Sequence, residues 1–542
     1  MKRRILLLFM LLCCGSFVFA DSYPRNANID VLHYKFHLTL SDKTDEIRGH
    51  TEIEIQFKVD GVSEFALDLI GQLHPDSTTG MTVTGITQNE QAVDFSHKNN
   101  RIHFQLRTPS QANERRTYAI SYHGIPADGL IISKNMFDER TFFGDNWPNR
   151  ARHWLPTIDH PYDKATCEFI VEAPEHYRVV SNGLLQSIAN LGGNRKRTHW
   201  RTRVPMPTKV MVVGVARFAV ETAGIHNGKE IQSWVYAQNR EAGFHDFAQA
   251  VRVVELFANR IGPFPYAKLA NVQSRTKYGG MENAGAIFYN EKRITGKRNN
   301  ESLIAHEIAH QWFGDSVTEA DWHHVWLSES FATYFSWVFD EFTYGRERLL
   351  EDLKRGRERV LKFYRQYPES PIVDSTITDL NNLLNANTYP KGAWVLHMLR
   401  GLIGEEAFWQ GIRDFYGKYR DKNVLTKDFQ QVMEEAASAD LTWFFQQWIH
   451  QPGQPKYKGH WHFNPATNEL EVQINQVQKE FFTMPVQIRI YWLDAKSPPF
   501  ETSVFLDKRK NIHQIKLAKM PSDVILDPNF WVLHEAEFGK LN

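Results

Sequence analysis

After a short leader the chain settles into alternation. Leu32, Tyr34, Phe36, Leu38 and Leu40 are apolar, while His33, Lys35, His37 and Thr39 between them are polar; Ile53, Ile55, Phe57 and Val59 alternate in the same way with Glu54, Gln56 and Lys58. A period of two sorts side chains onto the two faces of a half-buried strand. Pro75-Asp76-Ser77-Thr78-Thr79-Gly80 and Gly192-Gly193-Asn194 carry turn-forming residues between such runs. Residues 21–223 are therefore expected to form an N-terminal β-sheet domain.

After Gly228 the apolar spacing changes to three and four. Ala248–Ile261, Leu303–Phe313, Leu327–Phe342, Leu349–Tyr364 and Trp394–Ile403 each carry this helical pattern, with Gly314 and Gly345 placed to end two of them. They predict an α-rich central domain over residues 224–453. Pro452-Gly453-Gln454-Pro455 breaks the pattern, and alternation returns at Leu470, Val472 and Ile474, at Val486, Ile488 and Ile490, and at Val524 and Leu526. Residues 454–542 are expected to form a small C-terminal β-sandwich. The chain reads as a multidomain α+β protein, and its 542 residues suit about three such units.

The leader has its own signature. Lys2, Arg3 and Arg4 precede the apolar run Ile5–Leu12, and Val18-Phe19-Ala20 offers a small-residue cleavage site before Asp21. Residues 1–20 thus read as a signal peptide, and the apolar run is shorter than the roughly 20 residues a membrane-spanning helix needs. An exported product, periplasmic or secreted, without a stable membrane span is expected. Composition changes with the cut: 63 basic against 63 acidic residues become 60 against 63, a net charge of −3, and of three cysteines only Cys167 stays. An internal disulfide is then impossible. The balanced charge argues against a nucleic-acid partner, and 42% hydrophobic residues argue against a disordered chain.

The candidate chemistry lies in the central domain. His306-Glu307-Ile308-Ala309-His310 sits within an expected helix, where the i, i+4 spacing brings both imidazoles to one face. Taken alone, the pattern also describes two surface histidines around a solvated glutamate. However, Leu303, Ile304, Ile308, Trp312 and Phe313 make the helix apolar nearly all round, which implies burial. Buried His and Glu need partners, and one metal ion serves them together. Glu329, set among apolar residues in a second aromatic-rich helix, completes two His and one carboxylate; that donor set with an open fourth position suits catalytic zinc, whereas structural zinc is usually closed by thiolates. One zinc per chain held by His306, His310 and Glu329 is expected, with Glu307 as general base toward its water.

Gly279-Gly280-Met281-Glu282-Asn283, followed by His306-Glu307-x-x-His310, eighteen intervening residues and Glu329, resembles the gluzincin aminopeptidases, the family of alanyl aminopeptidase and leukotriene hydrolase. Asp159-His160-Pro161, Lys164-Ala165, Gly262-Pro263-Phe264-Pro265-Tyr266, Tyr389-Pro390-Lys391-Gly392 and Trp448 with Gln451-Pro452-Gly453 stand in that family's order over nearly the whole mature chain. The resemblance implies a thermolysin-like catalytic domain and peptide substrates with a free N-terminus. It implies that Glu282 binds the α-ammonium group, that the Gly279-Gly280 backbone lies against substrate with Met281 and Asn283 in the same segment, and that Tyr389 stabilises the oxyanion. Three departures stand out. No Gln or Glu occurs in Gly144-Asp145-Asn146-Trp147, where such relatives often carry a second ammonium ligand, leaving Asp145, Asn146 or Trp147 as substitutes. The third ligand is flanked as Ser328-Glu329-Ser330, and the large helical C-terminal domain of many relatives is missing. A thermolysin-like endopeptidase, a lipid epoxide hydrolase and a peptide-binding protein without catalysis are the competing readings. Tyr278, Met281 and Leu384 are candidate walls of the first side-chain pocket.

Overall fold

The computed structural model describes residues 21–72, 78–494 and 496–541, so the leader and part of the turn before Gly80 lie outside it. The N-terminal alternation builds an eight-stranded sheet. In sheet order its strands are Leu184–Gly192, Arg195–Arg201, Thr166–Pro174, Ile29–Thr39, Ile47–Phe57, Arg115–Ile125, Gly80–Gln88 and Gln91–Ala92. Ile29–Thr39 runs parallel to Thr166–Pro174 and antiparallel to Ile47–Phe57. Tyr34, Phe36 and Leu38 are fully buried, whereas His33, Lys35 and His37 on the opposite face keep solvent contact. A four-stranded sheet ordered Arg178–Ser181, Val213–Ala216, Arg140–Gly144 and Leu130–Lys134 delivers the loop after Gly144 to the central unit.

The central sheet is ordered Phe218–His226, Lys229–Tyr236, Leu269–Ser274, Ala286–Asn290 and Gly280–Met281. The strand Phe218–His226 spans the expected boundary at 223/224 and pairs in a hairpin with Lys229–Tyr236. Leu269–Ser274 is buried at every position, as a strand covered on both faces must be. Gly280–Met281 pairs antiparallel with Ala286–Asn290 and forms the sheet's edge.

Helices follow as α1 (Arg240–Phe247), α2 (Ala250–Arg260), α3 (Glu301–His310), α4 (Trp326–Tyr344), α5 (Arg346–Gln366), α6 (Gly392–Ile403), α7 (Glu405–Tyr419) and α8 (Thr426–Ala437). The five helices expected from spacing correspond to α2 to α6. α4 is buried from Trp326 to Asp340 because aromatics surround it: Phe313, Phe331, Phe335, Phe415 and Phe429 form one cluster. Gly345 ends α4 at φ +93°, its N–H donating to the Glu341 carbonyl.

The last unit has two small sheets. One is ordered Lys510–Lys516, Glu469–Gln476, Lys456–Asn464 and Glu535–Lys540; the other Phe500–Leu506, Met484–Trp492 and Pro521–Leu526. Strict in–out alternation in Glu469–Gln476 shows one face on a core. The Trp531 ring stacks on His397 of α6 at 4.7 Å and fixes this unit to the helices. Among the described residues no helix is long and apolar enough to cross a membrane.

Candidate metal centre and substrate site

α3 presents His306 and His310 one turn apart, and α4 packs against it with Glu329. His306 Nε2 lies 3.2 Å from His310 Nε2, and Glu329 Oε2 lies 3.4 and 3.3 Å from these two nitrogens. Ligand atoms about 2.0–2.1 Å from a tetrahedral zinc stand about 3.3–3.4 Å apart, so the triangle has the size of a zinc face. Glu329 Oε2 is buried and accepts no hydrogen bond, an arrangement a cation resolves. His310 Nδ1 sits 3.2 Å from the Phe313 carbonyl and 3.0 Å from Ser328 Oγ, which orients the ring and leaves Nε2 for the metal. Gly314, at φ +123°, lies close enough to Ser328 and His310 that a side chain there would displace both.

The charges of the site demand a cation. Glu282, Glu307 and Glu329 are each about 95% buried within one small volume. Burial pushes the Glu307 carboxyl well above its usual value, and the carboxylates of Glu282 and Glu329 add to this against the opposing His310. Burial lowers the pKa of His310, but Glu282 and Glu329 outweigh it and lift the imidazole to about 10. Glu329 shows the converse: burial raises it, and His310 and His306 overcome this and hold it low.

Tyr389 lies in a π-helical turn, Asn387–Lys391, with its ring stacked at 6.0 Å on His306. Burial, then the Glu329 carboxylate, push its hydroxyl well above the ordinary phenol value, so it stays a donor. The turn is pinned at several points. Ser330 Oγ donates to the Thr388 carbonyl at 2.6 Å, Asn387 Nδ2 donates to the carbonyls of Ser370 and Pro371, and Lys391 Nζ donates to Tyr364 Oη at 2.6 Å. Both serines flanking Glu329 thus have work that the sequence reading left out, as does Gln311. Its Nε2 donates to the Glu282 carbonyl at 2.6 Å and its Oε1 accepts from Gly285 N, tying the metal helix to the 279–285 segment.

The glycines of that segment have neighbours within the chain as well. A Cβ on Gly280 would lie inside the Glu307 carboxyl group, and one on Gly279 would meet Arg293 Nη2 at 3.1 Å. Gly280 makes room for Glu307 itself. Glu282 Oε1 is buried without a hydrogen bond, as are both polar side-chain atoms of Asn283. Met281 is buried, Tyr278 is half-buried with its ring 6.1 Å from Trp147, and Leu384 is half-buried.

The substitutes considered for a second ammonium ligand are occupied. Asp145 Oδ1 accepts from Arg150 Nη2 at 2.5 Å, and its Oδ2 accepts from Thr276 Oγ1 and Lys277 N at 3.0 Å each. Asn146 Nδ2 donates to the carbonyls of Thr208 and Met211, and its Oδ1 accepts from Trp154 Nε1 at 2.8 Å. Trp147 is wedged between Tyr278 and Trp322. Both Asp145 oxygens are thus engaged within the fold, whereas Glu282 keeps an oxygen free.

Comparison with known proteins places the chain by sequence and by fold. Residues 31–210 match the Peptidase M1 N-terminal domain and residues 245–448 the Peptidase family M1 domain. The chain is 28% identical over 334 residues to glutamyl aminopeptidase of Sus scrofa, covering 57% of this chain and 34% of that protein. It is 24% identical over 456 residues to leucyl aminopeptidase of Saccharolobus solfataricus, covering 79% and 54%. It therefore spans about a third to a half of the length of these curated relatives. The crystal structure of M1 zinc metallopeptidase from Deinococcus radiodurans shares the fold, with a TM-score of 0.67 at 24% identity over 79% of this chain and 95% of that one.

Proposed function

The chain belongs to the M1 peptidase family, and from that premise we propose that it is a zinc-dependent aminopeptidase releasing single residues from the free amino end of peptides. One observation carries this reading: His306 Nε2, His310 Nε2 and Glu329 Oε2 converge at tetrahedral-ligand spacing beside an unpartnered, buried Glu282 oxygen. Zinc held by these three atoms would supply a Lewis acid that polarises the scissile carbonyl and acidifies water.

The remaining roles follow from the chain's own groups. Glu307, held over Gly280, takes the proton of the attacking water and returns it to the leaving amine. The Tyr389 hydroxyl donates to the developing oxyanion and carries no charge of its own. Glu282 receives the α-ammonium; a blocked amine would leave that carboxylate buried and unpaired, which disfavours acetylated peptides. The open edge of Gly280–Met281 can take the substrate backbone as an added strand.

The test is Glu307→Gln with metal analysis and an unblocked aminoacyl anilide as substrate. One zinc per chain should be retained while kcat falls about 10²–10⁴-fold, and a chelator should abolish turnover of the unmodified enzyme. Efficient cleavage of amino-acetylated peptides at internal bonds would replace the aminopeptidase reading with an endopeptidase.

We infer too that residues 1–20 direct export to the periplasm or the exterior. In support, the chain is built into the fold from Asp21 onward: Asp21 Oδ2 lies 2.8 Å from His160 Nε2, Tyr23 Oη donates to Asp68 at 2.5 Å, and Arg25 Nη1 donates to the Ala320 carbonyl. Amino-terminal sequencing of exported protein should begin at Asp21.

A further inference from the structure

A cavity of about 670 Å³ lies between the outer hairpin of the eight-stranded sheet and the hairpin that begins the central sheet. Its floor is aromatic: Trp200 and Trp234 meet at 6.2 Å, and both indole N–H groups are bonded elsewhere, to the Val179 carbonyl and to Gln232 Oε1. They therefore show the cavity only apolar surface. Leu184, Leu185 and Ile188 of the edge strand Leu184–Gly192 line its mouth, and Ile188 is 61% exposed. Three large aliphatic side chains in water beside an apolar chamber are what a ligand would cover.

The cavity also holds an uncompensated charge. Lys268 lines it at 2% exposure, and its Nζ donates to the Ser181 and Gly285 carbonyls at 2.9 Å each. The third proton points to no acceptor; the ammonium instead stands 5.0 Å over the Trp200 ring. Among the described residues Lys268 has no carboxylate partner, and burial alone pushes its ammonium down to about 7. Arg178 and Lys196 add two further cations to the lining, neither in an ion pair among the described residues, against one lining carboxylate, Glu230, which is exposed and accepts from Gln232. A buried cation without a counter-ion is costly, and a carboxylate brought in by a ligand removes that cost.

We propose that this cavity binds an amphipathic carboxylate of the fatty-acid kind, its head group on Lys268 and its alkyl chain along Trp200, Leu185 and Ile188. Size, apolar walls and an excess of positive charge select this class. A peptide fits less well, because its amides would meet walls whose polar side chains, Thr198 and Gln232 apart, are charged.

The test is calorimetric titration of the intact zinc-loaded protein with dodecanoate and with dodecan-1-ol, both below their aggregation concentrations. Dodecanoate should bind at one equivalent, at least about tenfold tighter than the alcohol, as one charge-assisted hydrogen bond implies. Ile188→Glu, at an exposed position outside the catalytic machinery, should weaken dodecanoate at least about tenfold and leave peptide hydrolysis unchanged. Lys268→Met should make acid and alcohol bind alike. Absence of saturable binding, equal affinity for acid and alcohol in the unmodified protein, full affinity in Ile188→Glu, or uptake of an apolar peptide but not of dodecanoate would each overturn the proposal. The ligand pair needs no variant, so a Lys268→Met protein that fails to fold leaves the test intact.

Discussion

Residues 144–147 and 276–283 lie side by side at the candidate site, joined by the Asp145–Thr276 hydrogen bond and the Trp147–Tyr278 ring contact, yet they differ in one respect. In the first loop every polar side chain is engaged: Asp145 with Arg150, Thr276 and Lys277, Asn146 with three partners. In the second, Glu282 Oε1 and both polar atoms of Asn283 are buried and unpaired. Desolvating a polar group costs free energy unless a partner replaces the water. The fold satisfies its own needs in one loop and leaves them open in the other, which supports the proposal of Glu282 rather than Asp145 as the ammonium ligand.

The sharpest way to break this contrast is Gly280→Ala. The new methyl would displace the Glu307 carboxylate, and a shift of about 1 Å in a reacting group costs roughly 10²-fold. kcat should fall by that order with zinc retained; unchanged kcat would mean that the close approach of Gly280 and Glu307 is unimportant. Next, Glu282→Gln should lower kcat/KM for unblocked aminoacyl anilides about 10–100-fold, the value of one charge-assisted contact. Any activity on acetylated substrates should stay as it was, and parallel loss on both would deny Glu282 its role toward the ammonium.

The saturated loop should answer in a different currency. Asn146→Ala orphans the Trp154 indole and the Met211 carbonyl, so stability in denaturant titrations should drop by about 1–3 kcal/mol. KM for the amino-terminal residue should hold, and a rise in KM without destabilisation would return Asn146 to the binding residues.

The last prediction concerns a buried carboxylate away from the candidate site, without a full set of bonds. Asp163 Oδ1 is unpartnered, and burial raises its pKa to about 7. A carboxyl whose folded pKa exceeds its unfolded value of about 4 binds its proton more tightly when folded. Its contribution is present below pH 4 and is lost as pH rises from about 4 to about 7, with a slope of at most about 1.4 kcal/mol per pH unit. Asp163→Asn should flatten the stability profile over that window. An unaltered slope would show that Asp163 ionises freely in the native protein.

Much of this site could be read from the chain because its parts are local. His306 and His310 share one helix turn, Glu329 stands on the next long helix, and the apolar spacing that located α3 and α4 also announced their burial. Alternation located the flanking sheets for the same reason: a period of two or of 3.6 is a statement about neighbours in sequence. Glycine was harder to read. Gly279-Gly280 announced close approach, but whether substrate or Glu307 was the neighbour depends on where α3 lies against the edge strand. The serines around Glu329 looked like a neutral variation, because their partners, His310 Nδ1 and the Thr388 carbonyl, are 18 and 58 residues away.

The sequence by itself determined the order of sheet, helices and sheet, and it singled out His306, His310 and Glu329 as candidate metal ligands with Glu307 as candidate base, since each follows from periodicity or from a motif confined to a few residues. Only the tertiary structure decided which polar groups are already satisfied. It showed Asp145 and Asn146 bonded within the fold, left a Glu282 oxygen unpaired, and brought Lys268 to a cavity where, among the described residues, it has no carboxylate partner. Hydrogen-bond satisfaction is a property of atoms brought together from distant parts of the chain, and no local pattern records it.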